Sequence, residues 1–128
     1  MLIGFTGHRD WLCDHQSLLR IEQRYPGATW VHGGAEGFDT QVHGTALFLG
    51  KVLDDTLIVI RPDYDSYPPR VAPLMRNDII VARSDLIVAC YDGRKMGGTL
   101  YTINRAKQAG KTVEYVTPTT RVKVQLKV

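Results

Sequence analysis

Five short aliphatic or β-branched runs alternate with stretches whose apolar residues recur at helical spacing, and this alternation restricts the chain more than any other feature. The strand-like runs are Leu2 to Thr6, Thr29 to His32, Thr56 to Ile60, Leu86 to Ala89 and Thr112 to Val116. Between the first two, Leu18, Ile21 and Tyr25 share a helical face, with Asp14 placed to cap it and Pro26-Gly27 to stop it. Phe38, Val42, Ala46 and Leu49 form a second stripe that ends at Gly50. Pro73 suits the first turn of a third helix with Met75, Ile79 and Ala82 inward, and a fourth runs from Thr99 through Leu100, Ile103 and Ala106 to Gly110. Strands that are apolar almost throughout must be covered on both faces, which a parallel sheet with right-handed crossovers achieves. The expected architecture is α/β, a three-layer Rossmann-like sandwich on a five-stranded parallel sheet.

After a Thr117-Pro118-Thr119-Thr120 turn, Arg121 to Val128 alternates polar and aliphatic residues, which predicts a C-terminal antiparallel edge strand. Its lysines would discourage edge-to-edge aggregation. At 128 residues the chain suits a single domain, 1–128, with one core. The longest apolar runs fall far short of the roughly 20 residues a membrane span needs, so no membrane is expected. Met1 leads straight into a strand, which points to the cytoplasm rather than export. Two cysteines, Cys13 and Cys90, are too few for a disulfide framework, and no Cys/His spacing suits a metal. A net charge of +3 lacks the strong basic bias of a dedicated nucleic-acid binder.

In an open parallel sheet, ligands sit outside the carboxyl ends of the strands where strand order reverses. The unusual loops all fall on that rim. Thr6-Gly7-His8-Arg9-Asp10 follows the first strand, His32-Gly33-Gly34-Ala35-Glu36-Gly37 the second, Arg61-Pro62-Asp63-Tyr64 the third, and Tyr91 to Gly98 the fourth. Glycines at a strand-to-helix turn admit a ligand close to the backbone, and the first amides of the following helix point at an anion. Two such turns, at Gly33-Gly34 and at Gly97-Gly98-Thr99, predict two phosphate cradles. The bland alternative is a tight turn that only packs helix on strand. Neither turn is a dinucleotide fingerprint or a Walker loop, so no nicotinamide or ATP cofactor is expected. Arg76 and Asn77 can hold a phosphate and read a sugar or base, or Arg76 can pair with Asp78 or Asp63. Tyr64, Tyr67 and Tyr91 can stack on a base or cover apolar surface, and His8 and His32 can bond phosphate or serve the core.

Gly4-Phe5-Thr6-Gly7-His8-Arg9, the His32 to Asp39 segment, Met75-Arg76-Asn77, Ser84 to Ala89, Gly97-Gly98-Thr99 and Ala106 to Lys111 together resemble the SLOG superfamily in order and spacing. The likeness is greatest to its small single-domain members related to YspA and YpsA, with Lonely Guy phosphoribohydrolases and DprA as distant relatives. The resemblance implies a Rossmann-like domain that binds a nucleotide or a nucleotide-derived small molecule, often as a homo-oligomer. In the Lonely Guy enzymes a glutamate three residues beyond the Gly-Thr pair assists glycosidic cleavage; Arg76 matches their arginine, but Thr102 occupies the glutamate position here. Glu36, Asp39 or Asp92 would have to supply the missing carboxylate, or would instead bind a ribose hydroxyl.

The leading expectation is therefore a binding module, a sensor or sequestering domain for a nucleotide-derived ligand. Its expected ligand contacts are Gly7, His8, Arg9, Gly33, Gly34, Ala35, Glu36, Asp39, Arg61, Arg76, Asn77, Gly97, Gly98 and Thr99. An N-glycosidase or deoxyribosyltransferase-like enzyme acting on nucleoside monophosphates is the second reading. Single-stranded nucleic-acid binding is the third.

Overall fold

The computed structural model describes residues 1–123. The elements run β1 (Leu2–Gly7), β2 (Trp11–Cys13), α1 (His15–Arg24), β3 (Thr29–His32), α2 (Phe38–Phe48), β4 (Leu57–Val59), α3 (Ala72–Arg83), β5 (Leu86–Cys90), α4 (Gly98–Gln108), β6 (Thr112–Val116) and β7 (Pro118–Arg121). Five of the strands form one parallel sheet in the order β4-β3-β1-β5-β6. The chain builds outward from β1 to β3 and β4, then crosses back to add β5 and β6 on the other side. Strand order thus reverses between β1 and β5, whose ends are level because Gly7 pairs with Cys90.

Helices cover both faces, as strands apolar on both sides require. On one face Ile3, Phe5, Trp30 and Val88 meet Leu18 and Ile21 of α1 and Phe38, Val42 and Ala46 of α2. Phe5 packs 4.7 Å from Trp30, ring centre to ring centre. On the other, Val31 and Ile87 meet Ile80 and Val81 of α3 and Ala106 of α4. Each fully buried aliphatic or aromatic side chain contributes about 1.5–3 kcal/mol. The five-stranded parallel α/β sandwich is the architecture expected from the sequence. Among the described residues, no helix is long and apolar enough to cross a membrane.

Three details differ from expectation. The antiparallel pairing near the C-terminus forms at 118–121, within the stretch expected to turn, and its partner is β2 in a separate two-stranded sheet. Arg121 fixes that pairing, stacking 5.1 Å over Trp11 and donating to Asp10 at 3.0 Å. Residues 124–128 of the expected strand lie outside the described residues. The inward face of α3 is Ala72, Arg76, Ile80 and Val81, one residue round from the expected stripe, and Ile79 is half exposed. Arg76 claims that face because it reaches across to the loop after β3. Finally, Asp14 stands at the N-cap of α1 without a side-chain capping bond.

Candidate functional site

At the point where strand order reverses, the loops after β1, β3 and β5 and the start of α3 enclose a cleft of about 730 Å³. One wall is the N-terminus of α4. Gly97 holds the N-cap with φ +118°, a conformation that L side chains rarely adopt, and the helix then opens on Gly98 and Thr99. The first internal bond is Tyr101 N–H to the Gly97 carbonyl. Among the described residues no acceptor meets the amides of Gly98, Thr99 or Leu100. These are the orphan donors of a helix start, with the positive end of the dipole behind them. Thr99 is 5% exposed, and its hydroxyl has no hydrogen-bond partner among the described residues. Arg105 and Lys107 sit in the last turn, the favourable end for cations.

The turn after β3 behaves differently, and it corrects the expectation of a second open cradle. Asp39, in the first turn of α2, folds back so that its Oδ2 accepts the N–H of Gly33 at 3.2 Å and of Ala35 at 3.1 Å. Gly34 N–H donates to His32 Nδ1 at 3.0 Å. The chain's own groups therefore fill this turn. Burial pushes the Asp39 carboxyl up to about 6, against the pull of those amides and of Arg76. His32, buried and facing His43 at 2.9 Å, is pushed down to about 4 by desolvation and the neighbouring positive groups. It serves the interior rather than a ligand.

Arg76 bridges the two sides. Its Nη1 donates to the Gly33 carbonyl and its Nε donates to Asn77 Oδ1 at 2.7 Å. Neither Asp78 nor Asp63 is its partner, since Asp78 holds Arg105 and Tyr101. Gly33 has to be glycine for this contact, because a Cβ there would overlap the guanidinium. A third wall is an ionic lattice. Arg94 links Asp92 at 2.7 Å to Asp10 at 2.9 Å, and Asp92 Oδ1 lies 3.1 Å from His8 Nε2. Arg94 holds Asp92 well below the usual carboxylate range. Burial, followed by Arg94, lowers His8 despite its carboxylate neighbours.

Eleven of the expected ligand contacts line this cleft: Gly7, His8, Arg9, Gly33, Ala35, Asp39, Arg76, Asn77, Gly97, Gly98 and Thr99. Gly34, Glu36 and Arg61 do not. Glu36 is exposed, and the Arg61 guanidinium lies over Gly34, where a Cβ would come within 2.8 Å of it. Sequence reasoning missed Asp10, Arg70, Arg94 and Tyr101 as lining residues. Only the ion pairs with Asp10 and Asp92 distinguish the tethered Arg94 from Arg9 and Arg70. Those two have no carboxylate partner among the described residues. Tyr91 lies 5.7 Å from His8, ring to ring, and donates to the Arg94 carbonyl, while Tyr64 and Tyr67 are exposed. Thr102, at the position of the missing carboxylate, donates to the Gly98 carbonyl at 2.8 Å.

The chain shares its fold with DNA processing protein A. That DprA, from Streptococcus pneumoniae, matches with a TM-score of 0.62 at 21% identity over 88% of this chain and 49% of its own. The chain thus spans about half the length of DprA. No family model matches the sequence, and no curated protein does. The likeness to DprA is one of fold, and it places no ligand in the cleft.

Proposed function

We propose that the protein binds a phosphorylated, nucleotide-derived small molecule, with phosphate on the N-terminus of α4 and the remainder against the Asp39 side of the cleft. The observation that carries this reading is a set of donors at one place with no partner among the described residues: the Gly98, Thr99 and Leu100 amides, with the nearly buried Thr99 hydroxyl beside them. Arg9 and Arg70, which line the cleft and have no carboxylate partner among the described residues, add positive charge at the rim. The resemblance to the SLOG superfamily supports the same ligand class and an assembly of more than one copy. A glycosidase reading has less support, because Thr102 replaces the carboxylate and Asp39 is engaged by backbone amides.

Calorimetry against AMP, ADP-ribose and NAD is expected to give saturable heat for at least one of them, without turnover. Thr99→Val, which keeps shape and removes the hydroxyl, is expected to weaken binding roughly tenfold. Absence of heat for every phosphorylated ligand up to millimolar concentration overturns the proposal.

A further inference from the structure

Arg76 settles which way the amide of Asn77 faces. A guanidinium carries only donors, so the atom that meets Arg76 Nε at 2.7 Å must be the amide oxygen. The Asn77 Nδ2 group is therefore turned away from Arg76 and toward α4, where a side chain begun at Gly98 would meet it at 3.7 Å. It joins the free amides of Gly98, Thr99 and Leu100 and the Thr99 hydroxyl. The Nη2 edge of Arg76, itself 9% exposed, takes no acceptor among the described residues. Donors thus converge on one spot from two helices.

Resting on the reading above, we propose that Asn77, held as a donor by Arg76, makes this cleft selective for a terminal phosphate monoester over a phosphate diester. A monoester presents three terminal oxygens and close to two negative charges at neutral pH. A diester, whether a cyclic nucleotide or the interior of a nucleic-acid strand, presents two free oxygens and one charge. The lining residues match the former. Arg94 and Asp10 satisfy each other, which leaves Arg9, Arg70 and Arg76 facing the single carboxylate of Asp39. Arg76 is a positioning residue here, since it acts on the anion through the orientation it imposes on Asn77.

AMP and 3′,5′-cyclic AMP share base and sugar and differ at the phosphate, so their affinity ratio reads the selectivity directly. Calorimetry, with the amide resonances of Gly98, Thr99 and Leu100 as the local probe, is expected to favour AMP at least tenfold. Asn77→Ala is expected to bring the ratio toward one by weakening AMP alone. Asn77→Asp, which sets a carboxylate against the phosphate, is expected to abolish AMP binding at neutral pH. Arg76→Lys keeps the charge but loses the fork that orients the amide, and it should lower the ratio as Asn77→Ala does. The wild-type ratio needs no variant: equal affinities overturn the selectivity while AMP binding itself still stands. If Asn77→Ala weakens both ligands alike, its assigned role fails. If neither AMP, inorganic phosphate nor pyrophosphate moves those amides, the binding reading falls, and the selectivity with it.

Discussion

At Asp39 and His32, seven positions apart and joined through the Gly33 to Ala35 turn, burial moves two ionisable groups in opposite directions. Asp39 titrates near 6 in the folded protein against 3.8 ordinarily. Between those values the native state holds a proton that the unfolded chain has lost, so acidification through this window stabilises the fold. His32, lowered to about 4 from 6.5, does the reverse: the unfolded chain takes up a proton the native state refuses. The two effects offset each other in the wild type. Asp39→Asn removes one of them and is expected to lose stability relative to wild type as pH falls from about 6 to about 4, by up to about 1.4 kcal/mol per pH unit. Urea denaturation across that range checks it, and parallel pH profiles would refute the shift assigned to Asp39. The glycines and the aspartate were visible in the sequence. That the carboxylate would turn back onto the amides was not, because either a ligand or the chain's own carboxylate can satisfy such donors.

Element by element, legibility followed periodicity. α2 shows its Phe38, Val42 and Ala46 stripe as read, since nothing competes with apolar burial there. On α3 a polar residue, Arg76, takes an inward position and turns the face by one residue, which a count of apolar spacing cannot anticipate. β2 escaped notice and the C-terminal antiparallel strand begins three residues earlier than expected, because three- and four-residue strands carry too little pattern, and their pairing draws on Arg121, Trp11 and Asp10. At the start of α4 the proposed phosphate site is built from the backbone itself. Gly97→Ala meets no neighbour, so its cost is conformational strain alone, about 1–3 kcal/mol. Relief of that strain would re-aim the Gly98 and Thr99 amides and weaken phosphate binding severalfold or more. Gly50→Ala, also in open space at φ +77°, makes a matched control at the far end of α2. It should lower the melting temperature comparably and leave binding intact. If both variants bind alike, the α4 turn is not the anion site.

Across the whole molecule, the order β4-β3-β1-β5-β6 places the cleft, since strand order reverses between β1 and β5 and the crossovers leave a crevice there. The sequence made that location legible, because alternation of strand and helix fixes parallel pairing and the loop chemistry marks the rim. It left open how many charges on the rim are free to act. Ion pairing narrows this: Arg94 is spent on Asp10 and Asp92, and Arg121 on Asp10, which leaves Arg9, Arg70 and Arg76 as the cleft-lining cations without a carboxylate partner among the described residues. A site of that kind differs from a strand-binding groove in its response to salt. Each neutralised phosphate of a single strand contributes about 0.7 to the slope of log affinity against log salt, so about five contacts lose roughly three thousandfold over a tenfold rise in salt. For AMP the expected loss over the same rise is about tenfold or less, because a mononucleotide lacks the condensed counterion atmosphere that a polyanionic strand releases on binding. Measuring AMP and a short single-stranded oligonucleotide side by side at several salt concentrations separates the cases. A steep slope for the oligonucleotide, together with affinity above that of AMP at low salt, would assign the rim arginines to a strand and leave the α4 turn as one contact among several.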